Sequence, residues 1–140
     1  MLNLVVDDVS LWGVFLIILT VIMQGVVAAT VKAKAIGAVP GKIDADLSHD
    51  SLIFRSHRTF HNSLENVPWM LATCFLAFFS NVDAFWLSVY IWVFAVARII
   101  HMVLYYVIAT EKNPSPRSIF FLIALVANMA LLTNIAVDLL

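Results

Sequence analysis

Three long runs of uncharged, apolar residues constrain this chain more than anything else in it. Leu11–Val31 holds 21 residues without a charge and Ile119–Val137 holds 19. Ala84–Ala97 is apolar apart from one serine and continues past a lone Arg98 to Ala109. About 20 such residues are needed to cross the hydrocarbon core of a bilayer as a helix. A fourth run, Val67–Ser80, is shorter, but gains the length if its helix begins in the polar stretch before it. The expectation is an all-α, integral-membrane four-helix bundle, one domain over residues 1–140, with helices at roughly 9–33, 52–81, 84–110 and 117–139. Only 12% of the residues are charged, against about 25% in soluble domains. The first run is preceded by Asp7 and Asp8 rather than a basic cluster, and is too long for a signal-peptide core, so it is expected to be a retained span.

The charges set the orientation. Lys32, Lys34, Lys42, Arg55 and Arg58 lie in or beside the link between the first two helices, and Lys112 and Arg117 lie in the link between the last two. Asp7, Asp8, Asp83 and Asp138 fall at the opposite ends. This positive-inside asymmetry predicts both long links, roughly 35–51 and 110–117, on the cytoplasmic side and both termini away from it. Gly37, Pro40 and Gly41 mark the first link as a loop, while Pro114 and Pro116 end one helix and start the next. The turn at about 81–83 is short enough to make the middle helices an antiparallel hairpin.

Against this apolar background one stretch stands out, "RTFHNSLENVP" at 58–68. Arg58, His61, Asn62 and Glu65 are spaced i, i+3, i+4, i+7 and share one helix face. Measured from the hairpin turn, Glu65 lies level with about Ile100, between Arg98 and His101, and Asn62 lies one turn from Tyr105. Arg98, His101 and Tyr105 again share a face. Arg98 is roughly 16 Å inside its helix end, near the bilayer centre, where a charge costs at least about 2.5–3.5 kcal/mol and needs a partner. By depth that partner is Glu65. Simple helix pairing would account for those two residues, but not for Arg58, Asn62, His101 and Tyr105 beside them. A polar cleft opening to the cytoplasm accounts for all. Such a cleft suits a small ligand bearing both carboxylate and ammonium groups: Arg58 for a carboxylate, Glu65 for an ammonium, Asn62 for an amide.

Other features point nowhere further. The lone Cys74 permits no internal disulfide and reads as a small packing residue. His61 and His101 lack the Cys or carboxylate cluster a metal site needs, so no metal is expected. His49 and His57 read as loop or interfacial residues. A net charge of −1 with no basic patch argues against nucleic acid.

The 58–68 stretch resembles the second-helix signature of the MAPEG family, membrane-associated proteins in eicosanoid and glutathione metabolism: an Arg, three residues, an Asn, two residues, a Glu and then a Pro. "ARIIHMVLYYV" at 97–107 resembles the third-helix pattern of the family's microsomal glutathione transferase and prostaglandin E synthase branch. "PSPRSIFF" at 114–121 resembles the start of its fourth helix. The three occur in order in a chain of the family's size, and the likeness spans essentially all of it.

The resemblance implies a homotrimer with glutathione, as co-substrate, lying between subunits near the cytoplasmic side. Carried over by position, Arg58, His61, Asn62, Glu65, Arg98, His101 and Tyr105 match glutathione-binding or site-lining positions. A helix 1 lysine, Lys34 or its neighbour Lys32, matches a further contact. Arg117 matches the thiolate-stabilising position, with Ser118 beside it and Tyr105 as a further catalytic candidate. The implied activity is a membrane-bound glutathione transferase, with possible glutathione peroxidase chemistry, acting on lipophilic electrophiles or hydroperoxides. The implied location is a bilayer such as a bacterial inner membrane or the endoplasmic reticulum. The chemistry has an independent footing: a thiol with a pKa of about 8.5 is mostly protonated at neutral pH, and a guanidinium beside it favours the thiolate. Two rival readings differ in class. A non-catalytic, lipid-mediator-binding relative would have no need of the thiolate-stabilising group. A structural or transport subunit with a paired-charge seam would not bind glutathione.

Overall fold

The computed structural model describes residues 7–140. It is all-helical, with no strand among the described residues: α1 Asp8–Ala33, α2 Leu52–Phe78, α3 Ala84–Val107 and α4 Pro116–Asp138. The helices start where local chemistry starts them. Asp7 accepts the Ser10 N–H at 3.2 Å, and the Asp83 carboxylate accepts the Phe85 and Trp86 N–H groups at 3.1 and 3.2 Å. Both satisfy donors that a helix N-terminus leaves orphaned. Pro116 occupies the first turn of α4, where a missing N–H costs nothing. Two ends fall short of the expected spans. α2 stops at Phe78 rather than near 81, and α3 stops at Val107 rather than near 110, because Ile108 turns to extended backbone.

α2 and α3 form the centre of the bundle. α1 and α4 each pack on both of them, and do not pack on one another. The core is apolar where the four meet, around Ile17, Met70, Leu87, Ile91, Phe94 and Leu131. Its periphery inverts the soluble pattern: Trp12, Phe15, Ile22 and Trp69 are exposed, while Ser10, Gln24, Arg98, His101, Arg117 and Asn128 are buried. Apolar outside and polar inside is the arrangement a lipid solvent selects. α1, α3 and α4 are each long and apolar enough to cross a membrane. The chain is an integral membrane protein.

Small residues let the backbones approach. A Cβ at Gly13 would stand 2.5 Å from Ile91 Cγ2, so α1 and α3 touch there only because that atom is missing. Ser56, Thr59, Ser63, Thr73 and Ala77 supply the buried face of α2. The Thr59 and Thr73 hydroxyls satisfy themselves by donating to carbonyls one turn back, Arg55 and Trp69, each at 2.8 Å. At the acidic end of the bundle the Asn81 N–H donates to the Asp138 carboxylate at 2.6 Å, and the Trp92 indole donates to the Val9 carbonyl at 3.0 Å. At the basic end lie the two long links, and the cleft is there.

Candidate functional site

The cleft has a volume of about 590 Å³ and is bounded by α2, α3, the first turn of α4 and both links. Asn62, His101, Tyr105, Arg117 and Ser118, five of the residues singled out by sequence, line it together. Its floor is Arg117. This guanidinium is only 6% exposed, and its position is fixed on three sides. Nη2 donates to the Thr110 carbonyl at 2.8 Å, and Nε donates to Ser115 Oγ at 3.3 Å. Cζ lies 4.2 Å from the centroid of the Tyr105 ring, a cation–π contact. Nη1 is buried and has no partner. Arg117 makes no ion pair among the described residues, so its charge is held in place and not neutralised. Ser118, one residue on, accepts the Ser115 N–H on its hydroxyl oxygen at 3.3 Å. That bond closes the start of α4 and leaves the Ser118 O–H free to donate.

His101 is buried beside Tyr105, with ring centroids 5.4 Å apart and Nδ1 unpartnered. Arg98 lies one helical turn deeper and is 3% exposed. Here the structure corrects the depth argument. Arg98 donates from Nη1 to Asn62 Oδ1 at 2.7 Å and from Nη2 to Ser63 Oγ at 2.8 Å; it does not pair with Glu65. Depth fixes height along a helix but not direction around it. Ser63 belongs to the buried arc of α2, and Glu65, two residues on, is turned about 200° away and is exposed. The Arg98 side chain reaches back toward the basic end of the bundle, as long cationic side chains do in membranes.

The outward stripe is therefore split. Asn62 faces inward, while His61 and Glu65 are exposed and Arg58 is half-buried, with no ion pair to either charge among the described residues. His61 lines a second cleft of about 600 Å³, between α1, α2 and the first link, with Lys32, His57 and Phe60. The helix 1 lysine on this side is Lys32. Lys34 is the C-cap of α1 and is exposed.

Two residues at the cleft were not anticipated. His49, from the first link, and Glu111, from the second, meet across it. The His49 N–H donates to Glu111 Oε1 at 3.0 Å, and Nδ1 lies 2.8 Å from Oε2. His49 Nε2 lies 3.4 Å from the Tyr105 hydroxyl. Arg55 anchors the same segment by donating from Nη1 to the carbonyls of His49 and Asp50. The backbone N–H of His49 first, and its imidazole second, hold the Glu111 carboxyl below its ordinary range. No local spacing announces this contact. The available signal was topological: both links were placed at one end of the bundle, one carrying a histidine and the other a carboxylate.

Residues 9–137 match the model of the MAPEG family, and the chain belongs to that family. The family includes glutathione transferases and related proteins. Comparison with curated proteins and with solved structures returned no significant match.

Proposed function

We propose that this protein is a membrane-bound glutathione transferase, with peroxidase chemistry open to the same thiolate. The observation that carries the reading is Arg117: a buried guanidinium on the floor of a cytoplasm-facing cleft, rigidly held, without a carboxylate, and with Nη1 left unpartnered. A cation so placed is complementary to an anion that has yet to arrive. It also sits in the first turn of α4, where the helix dipole favours negative charge. With glutathione bound, its sulfur lies toward Arg117, which stabilises the thiolate over the thiol. Ser118 offers a second donor. The thiolate attacks an electrophilic carbon and expels its leaving group. With a hydroperoxide, it takes the terminal oxygen to release an alcohol, and a second glutathione completes the reduction.

Glu65 supports the rest of the reading. A carboxylate exposed on a membrane helix is too costly to leave facing lipid, so this face of α2 meets another subunit, and α2 is the fourth span. A homotrimer then brings Arg58, Glu65, His61 and Lys32 to an intersubunit seam beside the cleft. There Arg58 serves the glutathione carboxylates, Glu65 its ammonium and the Asn62 Nδ2 amide its peptide. Lipophilic acceptors enter from the bilayer while glutathione enters from the cytoplasm.

Titration of the purified protein with glutathione, following thiolate ultraviolet absorbance, tests this directly. Saturable thiolate absorbance at neutral pH is expected. Absence of both binding and absorbance would remove the proposal.

A further inference from the structure

Three side chains from three segments stand in line at the cleft. Glu111 Oε2 faces His49 Nδ1 at 2.8 Å, and its other oxygen accepts the His49 backbone N–H at 3.0 Å. Across the same ring, Nε2 lies 3.4 Å from the Tyr105 hydroxyl. Behind Tyr105 stands Arg117, packed on the ring face. Nδ1 lies 2.8 Å from Oε2 but makes no aligned hydrogen bond to it. The negative charge beside Nδ1 still favours the tautomer that carries its proton there, and Nε2 then presents its lone pair to the phenol. Tyr105 then donates to His49, which leaves its oxygen lone pairs for a donor arriving in the cleft.

We propose that Glu111, His49 and Tyr105 form a relay that removes the proton from the glutathione thiol. The proposal rests on the reading of the cleft as a glutathione site. In the step, the S–H bond breaks and its electron pair stays on sulfur as the thiolate beside Arg117. The thiol proton bonds to the Tyr105 oxygen as the phenolic proton passes to His49 Nε2. Tyr105 ends neutral, and His49 ends as an imidazolium beside the Glu111 carboxylate. Two neutral groups become one anion and one cation, so charge balances. The relay resets when Nε2 gives its proton to cytoplasmic water or, through Tyr105, to a departing group. A neutral phenol cannot hold two protons, so Tyr105 alone cannot accept one. The imidazole behind it has a lone pair on Nε2 that can take the proton. Tyr105 touches the reacting atom, while His49 and Glu111 act through it as positioning residues.

The test is rapid mixing of the full chain, in detergent or bilayer discs, with glutathione, following thiolate absorbance at neutral pH. His49→Phe keeps a ring against Phe54, whose centroid lies 4.9 Å from that of His49. It should slow thiolate formation by about 10²-fold or more, with glutathione Kd changed less than about threefold. Glu111→Gln, on an exposed side chain, keeps the shape of the contact but removes the charge. It should slow the step by about tenfold, with glutathione Kd again little changed. It also serves as the probe if the His49 variant fails to fold. An unaltered rate in either variant would overturn the relay alone. Absence of thiolate in the unaltered protein would overturn both the relay and the glutathione reading beneath it.

Discussion

Arg98 and Arg117 are both buried, both lie on largely apolar helices, and neither has a carboxylate partner among the described residues. Their surroundings differ in one respect that decides their roles. Arg98 spends both terminal nitrogens on α2, at Asn62 and Ser63, and ties the two central helices together. Arg117 hydrogen-bonds only to its own neighbourhood, Thr110 and Ser115, and its buried Nη1 has no partner beside the cleft. A buried charge in a membrane protein is therefore not in itself a site. One whose terminal nitrogens bridge two helices is a fastening, and one bonded only within its own turn beside a cavity is placed to meet a ligand.

The largest expected effect separates the two on the Arg117 side. Arg117→Ala should lower turnover by about 10²–10³-fold, some 2.7–4 kcal/mol of transition-state stabilisation, with a much smaller change in glutathione affinity. Turnover should be measured with both a reactive aromatic halide and a lipid hydroperoxide. Undiminished thiolate formation in this variant would erase the contrast. On the other side, Arg98→Ala should destabilise the fold by roughly 1.5–3 kcal/mol, the range for a lost charge-assisted hydrogen bond. It should leave the thiolate signal of the remaining folded protein nearly intact. Denaturation in detergent, read alongside glutathione titration, checks both halves of that statement.

A sharper version is a pair of double-mutant cycles. Arg98 and Asn62 should couple by about 0.5–3 kcal/mol, whereas Arg98 and Glu65 should be additive within about 0.5 kcal/mol. Coupling to Glu65 and none to Asn62 would mean that α2 is rotated from the orientation described here. The smallest effect concerns the link region. The Glu111 carboxyl has a folded-state pKa below its ordinary 4.5. Its stabilisation of the His49 contact is thus fully present above that ordinary value, and is lost as pH falls through the depressed one. Amide exchange at His49 should stay protected at neutral pH and lose protection only under acid, relative to Glu111→Gln measured alongside. Equal protection in the two proteins at neutral pH would show that the carboxylate charge holds nothing.

Much of this was legible in the chain. The uncharged runs predicted membrane-capable helices, and α1, α3 and α4 have that character. The i, i+3, i+4, i+7 stripe and the hairpin ruler brought Asn62 to the level of His101 and Tyr105, which share its cleft. What failed was direction about the helix axis. Spacing along α2 could not say that Ser63, a residue with no charge to attract notice, faces Arg98 while Glu65 faces outward. Lys32 and Lys34 pose the same problem at the end of α1, where one sits against α2 and the other caps the helix. His49 and Glu111 were missed for a different reason: their contact joins two loops, and loops carry no period from which a partner can be read.

Gly13 has a mechanical consequence. The α1–α3 contact is close there, near the acidic end, where Trp92 also holds the Val9 carbonyl. From that point to Lys32, past the close approach of Gly25 to the Phe60 ring, α1 is an arm of roughly 28 Å. A tilt of only about 5° at that fulcrum would carry Lys32 through roughly 2.5 Å, on the geometry of a rigid helix. Small strains at the Asp-rich face are in this way magnified toward the second cleft. Gly13→Ala, by wedging the fulcrum, should alter spin-label distances between Lys32 and His57 positions more than those measured beside Gly13 itself.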